Sequence, residues 1–270
     1  MVRLYLLAPA LALAVTFVVA FIVYAALCAA GRAPTVRAVK HNELLGPFFA
    51  SFLVWVIGPV ERLLIGRVSP NAVTLASLAL CAVTGVAAAL GHLPAAVWLY
   101  VFAGILDVLD GRLARQTGQQ TAAGALFDSV SDRWGELFAF AGFLWLLHDS
   151  PWMLAAFAAI ASSTMVSYTR ARAEGLGLTS IKGGLMQRAE RIVLVAGGTL
   201  LAAWYGTDDM ETASTILGAT MLLCGVASTG TALNRWVTAY RQLAARHAAP
   251  AAARAPKPLA PAPVRALEQH

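Results

Sequence analysis

The sequence predicts an all-α integral membrane protein: a six-helix transmembrane core, preceded by an extra N-terminal transmembrane anchor and an interfacial amphipathic helix. Three observations point there. Of 270 residues, 59% are apolar and 13% charged, with mean hydropathy +0.69, which sets the chain apart from soluble domains and disordered polymers. The apolar residues gather into runs near the roughly 20 residues that a helix needs to cross a bilayer. Lys and Arg fall on alternate connections only.

The first apolar run, Leu4 to Ala30, carries no charge and is too long for the core of a cleavable secretory signal. Residues 1–31 are therefore expected to be a retained anchor. In the cytoplasmic linker 32–70, the apolar stretch Pro47 to Ile57 is too short to cross and is followed by Pro59, so it is expected to lie in the interface. Residues 71–247 form the expected six-helix domain, with spans at Ala72 to Leu90, Ala95 to Leu113, Ala122 to Leu146, Trp152 to Arg170, Arg188 to Tyr205 and Thr212 to Leu233. Each ends near Gly, Pro or charged residues. The Ala/Pro-rich tail 248–270 lacks the apolar content to build a core and is expected to be disordered.

The connections around Gly91 to Pro94, His148 to Pro151 and Gly206 to Glu211 contain no Lys or Arg. Nearly all basic residues fall at the opposite ends of the spans, the cytoplasmic side of a cell (inner) membrane by the positive-inside rule, with the N-terminus outside. The net charge of +6 then reflects topology and needs no nucleic-acid partner. Cys28, Cys81 and Cys224 each sit in an apolar run without C-x-x-C spacing, which argues against zinc or a disulfide framework.

Asp107, Asp110, Asp128 and Asp132 lie within or beside the second and third core spans, where a buried carboxylate costs at least about 2.5 kcal/mol. One isolated aspartate there would read as a cap or as an ion pair with Arg112, Arg115 or Arg133. Four together read otherwise. Spacings of i, i+3 and i, i+4 put each pair on one helix face, and a hairpin through Gln116 to Ala123 matches the pairs in depth. Facing carboxylates repel one another or take up protons unless cations sit among them. A two-metal site of Asp107, Asp110, Asp128 and Asp132 follows, with Mg²⁺ as the default ion and Mn²⁺ or Ca²⁺ as alternatives. Gly111 and Gly124 leave room for a ligand beside the ions, or serve close helix packing.

The segment DVLDGRLARQTGQQTAAGALFDSVSD, Asp107 to Asp132, resembles the signature of the CDP-alcohol phosphotransferase family, D-x2-D-G-x2-A-R-x8-G-x3-D-x3-D, at every fixed position. The six core spans are similar to that family too; the anchor and tail fall outside it. The resemblance implies that Asp107, Asp110 and Asp128 hold a pair of divalent ions, that Asp132 is the general base, and that Gly111, Ala114 and Arg115 contact the cytidine nucleotide. It also implies a CDP-linked lipid donor such as CDP-diacylglycerol, release of CMP, and a homodimer. SPNAVT, Ser69 to Thr74, reads as helix capping, and it resembles the family's P-N-x-x-T element beside the nucleotide, which adds Asn71 and Thr74 as candidates.

SYTRARAEG, Ser167 to Gly175, and GGLMQRAER, Gly183 to Arg191, bring arginines from two successive helices to the face that holds the aspartates. Such arginines read as topology or lipid headgroup contacts, or, as planar forks, as phosphate ligands. Both segments resemble elements of the branch of the family that uses inositol phosphate. That resemblance implies Ser167, Arg170, Arg188 and Arg191 as acceptor-phosphate ligands and inositol 1-phosphate as the acceptor. Glycerol 3-phosphate and free inositol are the rival acceptors. A membrane prenyltransferase would carry its Asp-rich motifs far apart in the chain, and a cation transporter could line an ion path with the same carboxylates.

Overall fold

The computed structural model describes residues 2–32, 46–178, 181, 184–206 and 209–248. The rest of the linker (33–45), Lys182, Gly183 and the tail from 249 onward lie outside the described residues. Among the described residues there are eight helices and no strands: α1 (Val2–Ala29), α2 (Gly46–Leu64), α3 (Pro70–Ala89), α4 (Leu93–Gln116), α5 (Ala122–Leu146), α6 (Met153–Gly175), α7 (Arg188–Tyr205) and α8 (Met210–Ala248). The protein is an all-α integral membrane protein. Helices α1, α2, α3, α4 and α8 are long and apolar enough to cross a bilayer by length and composition. Charged residues within α5, α6 and α7, among them Asp128, Asp132 and Glu136 on α5 and Arg191 on α7, keep these three helices polar for their length.

Local chemistry sets the ends that matter for the site. Ser69 caps α3 by accepting from the Ala72 amide at 3.3 Å, with Pro70 in the first turn. Thr121 caps α5 by accepting from the Gly124 amide at 2.9 Å. Between α4 and α5, Gly118 takes φ +67°, a conformation open to glycine at little cost, and so the chain reverses within five residues. These caps and this turn fix the α4–α5 hairpin that presents the aspartates.

The core lies among α3 to α8, around Tyr100, Phe140, Phe143, Leu147, Leu217 and Met221. Helix α3 packs on α4 and α5, α6 on α8, and α7 on α4 and α8. Contact between α3 and α5 is made at backbone distance: a Cβ at Gly142 would stand 2.0 Å from the Gly85 carbonyl oxygen. Small residues give membrane helices the close approach that supplies van der Waals attraction where no hydrophobic force acts between them.

Helices α2 and α8 run furthest beyond their expected ends. Helix α2 continues through Pro59 to Leu64, 19 residues in all, because a proline inside a helix removes one hydrogen bond but does not end the helix when neighbours hold it. Its Val54, Ile57 and Glu61 share a buried stripe, and its Phe48, Phe49, Phe52 and Trp55 meet Phe17, Phe21 and Tyr24 of α1 edge to face or tilted. Helix α8 continues past Leu233 to Ala248, 39 residues, about 58 Å at 1.5 Å per residue, against a hydrocarbon core of about 30 Å. Its last turns support the α6–α7 connection: Ala239 packs with Ala173, Leu178 and Ile181, and Arg246 donates to the Gly177 carbonyl at 3.1 Å.

Candidate active site

The hairpin brings Asp107 and Asp110 of α4 against Asp128 of α5, and one oxygen from each of the three lies within 4.8 Å of the others. Asp110 is 3% exposed, and Thr74 of α3 donates to its Oδ2 at 2.6 Å while also approaching the Pro70 carbonyl. The donor set is all oxygen and anionic, the set that hard divalent cations such as Mg²⁺, Mn²⁺ and Ca²⁺ prefer. The residues therefore fit a divalent ion.

Asp132 stands apart from that group of three. Its carboxylate pairs with Arg188 at the start of α7, and the same guanidinium donates to Asp107 Oδ1 at 2.5 Å. Arg188 thus bridges the metal group and Asp132, and the side chains of all three are 20 to 23% exposed. Of the four carboxylates expected in the metal set, three converge here and the fourth, Asp132, is engaged by an arginine.

The other candidates fall as follows. Gly111 and Ala114 are half-buried on α4, and the Arg115 guanidinium folds back so that a Cβ at Gly111 would meet its Nη1 at 3.2 Å. Gly124 faces the start of α3: a Cβ there would lie 3.5 Å from Asn71 Oδ1. Asn71, Thr74 and Gly124 are so gathered at one end of the hairpin. Ser167 is half-buried on α6, next to Val166, whose carbonyl accepts from Arg235 of α8 at 3.0 Å. Arg170 is exposed and pairs with Glu174 at 2.9 Å.

Arg191 is placed elsewhere. It is 2% exposed, forms a two-pronged pair with Glu136 of α5 at 2.5 and 2.9 Å, and donates to the Met186 carbonyl at 3.1 Å. The fork of Arg191, expected to meet the acceptor phosphate, is engaged by protein groups in this structure. Its i, i+3 spacing from Arg188 is real, but the buried rung belongs to the protein.

Of the arginines expected as bland partners of the aspartates, Arg112 is engaged elsewhere and Arg133 lies near Asp107 and Asp128. Arg112 donates to both oxygens of Glu61 on α2, at 2.9 and 3.0 Å. Arg133 turns back to the Ser129 carbonyl and stands close enough to Arg170 and Arg191 to feel both charges. Glu61, behind α4, and Glu136, beside the site on α5, carry no role in the sequence reading. The sequence signal for the two glutamates was a carboxylate inside an apolar helix, the same signal that marked the aspartates.

Residues 67–229 match the family model for CDP-alcohol phosphatidyltransferase. The phosphatidylinositol phosphate synthase of Streptomyces avermitilis is 34% identical over 237 residues, covering 82% of this chain and 92% of that protein. The crystal structure of Mycobacterium tuberculosis phosphatidylinositol phosphate synthase with CDP-DAG bound superposes with TM-score 0.59 at 29% identity, over 69% of this chain and 94% of that one. The same enzyme in complex with manganese and citrate gives TM-score 0.60 at 29% identity, over 67% and 88%. Three converging carboxylates on a matched hairpin, within a match that spans more than half of the sequence, leave no place for the prenyltransferase or transporter readings. The chain belongs to the CDP-alcohol phosphatidyltransferase family and is a transferase of substituted phosphate groups.

Proposed function

We propose that the chain moves the phosphatidyl group of CDP-diacylglycerol to a hydroxyl of inositol 1-phosphate and releases CMP. The observation that carries this reading is the convergence of Asp107, Asp110 and Asp128 beside the Asp132–Arg188 pair. The donor is supported by the similar enzyme that holds CDP-DAG, and the acceptor by the name of the similar synthases.

Asp107, Asp110 and Asp128 would hold a pair of divalent ions, Mg²⁺ first and Mn²⁺ as an alternative supported by the manganese complex of the similar enzyme. When bound, such ions neutralise a diphosphate and stabilise charge developing on the leaving group. Asp132 is the proposed general base. Its carboxylate takes the proton of the acceptor hydroxyl as that oxygen bonds to the β-phosphorus, while the bond from that phosphorus to the CMP oxygen breaks. Gly111, Ala114 and Arg115, with Asn71 and Gly124, are proposed to line the CDP moiety, and Thr74 acts by holding Asp110.

Arg188, with Ser167 and Arg170, is proposed to take the acceptor phosphate. Arg133 adds a further cation on the same flank. The basic helix ends support a cytoplasmic position for this face at the cell membrane, and the catalytic unit is proposed to be residues 71–247, working as a homodimer. The test is an acceptor panel: purified protein with CDP-diacylglycerol and Mg²⁺, following CMP with inositol 1-phosphate, glycerol 3-phosphate, inositol and serine. CMP release with inositol 1-phosphate at least tenfold above the others is expected. Preference for glycerol 3-phosphate would refute the acceptor, and no CMP with any of them would refute the reading as a whole.

A further inference from the structure

Helix α4 is held from the side opposite its carboxylates. At about 100° per residue, Arg112 and Gln116 project from the face of α4 turned away from Asp107 and Asp110. Glu61 of α2 receives both: Arg112 at 2.9 and 3.0 Å, and Gln116 Nε2 at 2.6 Å. The ion pair is nearly dry, with side chains 8% and 5% exposed, and Leu64, one turn on, packs with Leu106, Leu109, Leu113 and Val73. This contact comes from outside the family-matched segment, which begins at residue 67.

A two-pronged carboxylate–guanidinium contact is directional, so it resists rotation of α4 about its axis. Rotation matters here. A side-chain oxygen roughly 5–6 Å from the helix axis moves by about 2 Å for a turn of about 20°, and that is nearly a whole metal–oxygen bond length. Thr74 fixes Asp110 on one side of α4 and Arg188 reaches Asp107, yet both act on the very groups an ion would engage. Ser77 of α3 donates to the Ala103 carbonyl of α4 at 2.8 Å, before the aspartates in the helix; Glu61 grips the turns that follow them, also without touching the carboxylates.

We propose that Glu61 is a positioning residue of the transferase: through Arg112 and Gln116 it sets the rotation of α4 that lets Asp107 and Asp110 share an ion with Asp128. The inference rests on the metal reading given under Proposed function. The test uses the full chain in detergent, measuring Mn²⁺ affinity from the free-ion electron paramagnetic resonance signal without substrate. Glu61→Gln keeps the side-chain shape and is expected to weaken Mn²⁺ binding about tenfold, the low end for a supporting group of a metal site, with an unchanged gel-filtration profile. The exchange Glu61→Arg with Arg112→Glu restores the pair in reverse and should recover affinity to within about threefold. Unchanged Mn²⁺ affinity in Glu61→Gln with only a lower melting temperature would overturn the positioning role and leave the metal reading standing. Failure of the exchange variant to recover affinity, in a protein that still elutes normally, would overturn it too. A wild-type chain that takes up no Mn²⁺ would overturn the metal reading itself, and this inference with it.

Discussion

Replacing Arg188 by Gln should move two measurements in opposite directions. Its guanidinium sits 2.5 Å from Asp107 Oδ1 and also pairs with Asp132, with the side chains 20 to 23% exposed. A divalent ion on Asp107 would stand roughly 5 Å from that positive charge, a repulsion of about 1.7 kcal/mol even in a water-like dielectric, roughly halved by screening at 0.15 M salt. Removing the arginine should therefore tighten Mn²⁺ binding about fivefold. Turnover should go the other way, because an acceptor phosphate loses a charge-assisted hydrogen bond of about 1.5–3 kcal/mol, a rise of about 10- to 100-fold in KM for inositol 1-phosphate. Mn²⁺ titration by electron paramagnetic resonance and CMP release at varied donor and acceptor read the two effects separately. Weaker Mn²⁺ binding, or an equal rise in KM for CDP-diacylglycerol, would refute the assignment of Arg188 to the acceptor side.

Asp132→Asn should lower kcat by about 10²- to 10⁴-fold, the usual weight of a general base, with donor KM little changed; normal turnover would remove Asp132 from that role. Thr74→Val strips Asp110 of a 2.6 Å hydrogen bond in a site 3% exposed and should weaken Mn²⁺ binding, by about tenfold if the bond contributes about 1.5 kcal/mol. Asp128→Ala should abolish Mn²⁺-dependent binding of CDP, measured by calorimetry with and without EDTA. Gly142→Ala would place a methyl group 2.0 Å from the Gly85 carbonyl oxygen, forcing α3 and α5 apart at a cost of about 1–3 kcal/mol, read as a lower melting temperature in detergent.

What the sequence could show was local. Within one helix the spacing of Asp107 and Asp110, or of Asp128 and Asp132, fixes which face they share, and a short hairpin carries that logic across a turn. Partner choice over longer separations was not legible. Arg112 is two residues from Asp110, yet its partner is Glu61, 51 residues earlier, on a helix that Pro59 concealed by imitating a stop. Arg191 shares a face with Arg188, and only the packing of α7 on its neighbours shows that one is enclosed while the other opens on the site. The length of α8 was hidden for another reason. Past Leu233 its composition turns polar, which ends a membrane span but not a helix, and Ala239 and Leu243 still find an apolar partner in the α6–α7 connection.

The two arginines of α7 set out how this family fold separates stability from chemistry. Arg188 pairs with Asp132 and Arg191 with Glu136, and each acid lies one turn from the other on α5, so the helices meet through two rungs of the same kind. Exposure divides them. The inner rung, 2% and 9% exposed, is closed by its own two-pronged geometry and by the Met186 carbonyl, and breaking it would strand a charge in a dry interior at about 3–5 kcal/mol. The outer rung keeps roughly a fifth of its surface open and is shared with Asp107, so either partner can exchange the other for a ligand at a far smaller cost. Asp107, Asp110 and Asp128 crowd three carboxylates at the mouth of the hairpin, and of these three Arg188 reaches Asp107 at hydrogen-bond distance. Such crowding suits a divalent cation among them, and the inner rung holds α5 and α7 together independently of that group.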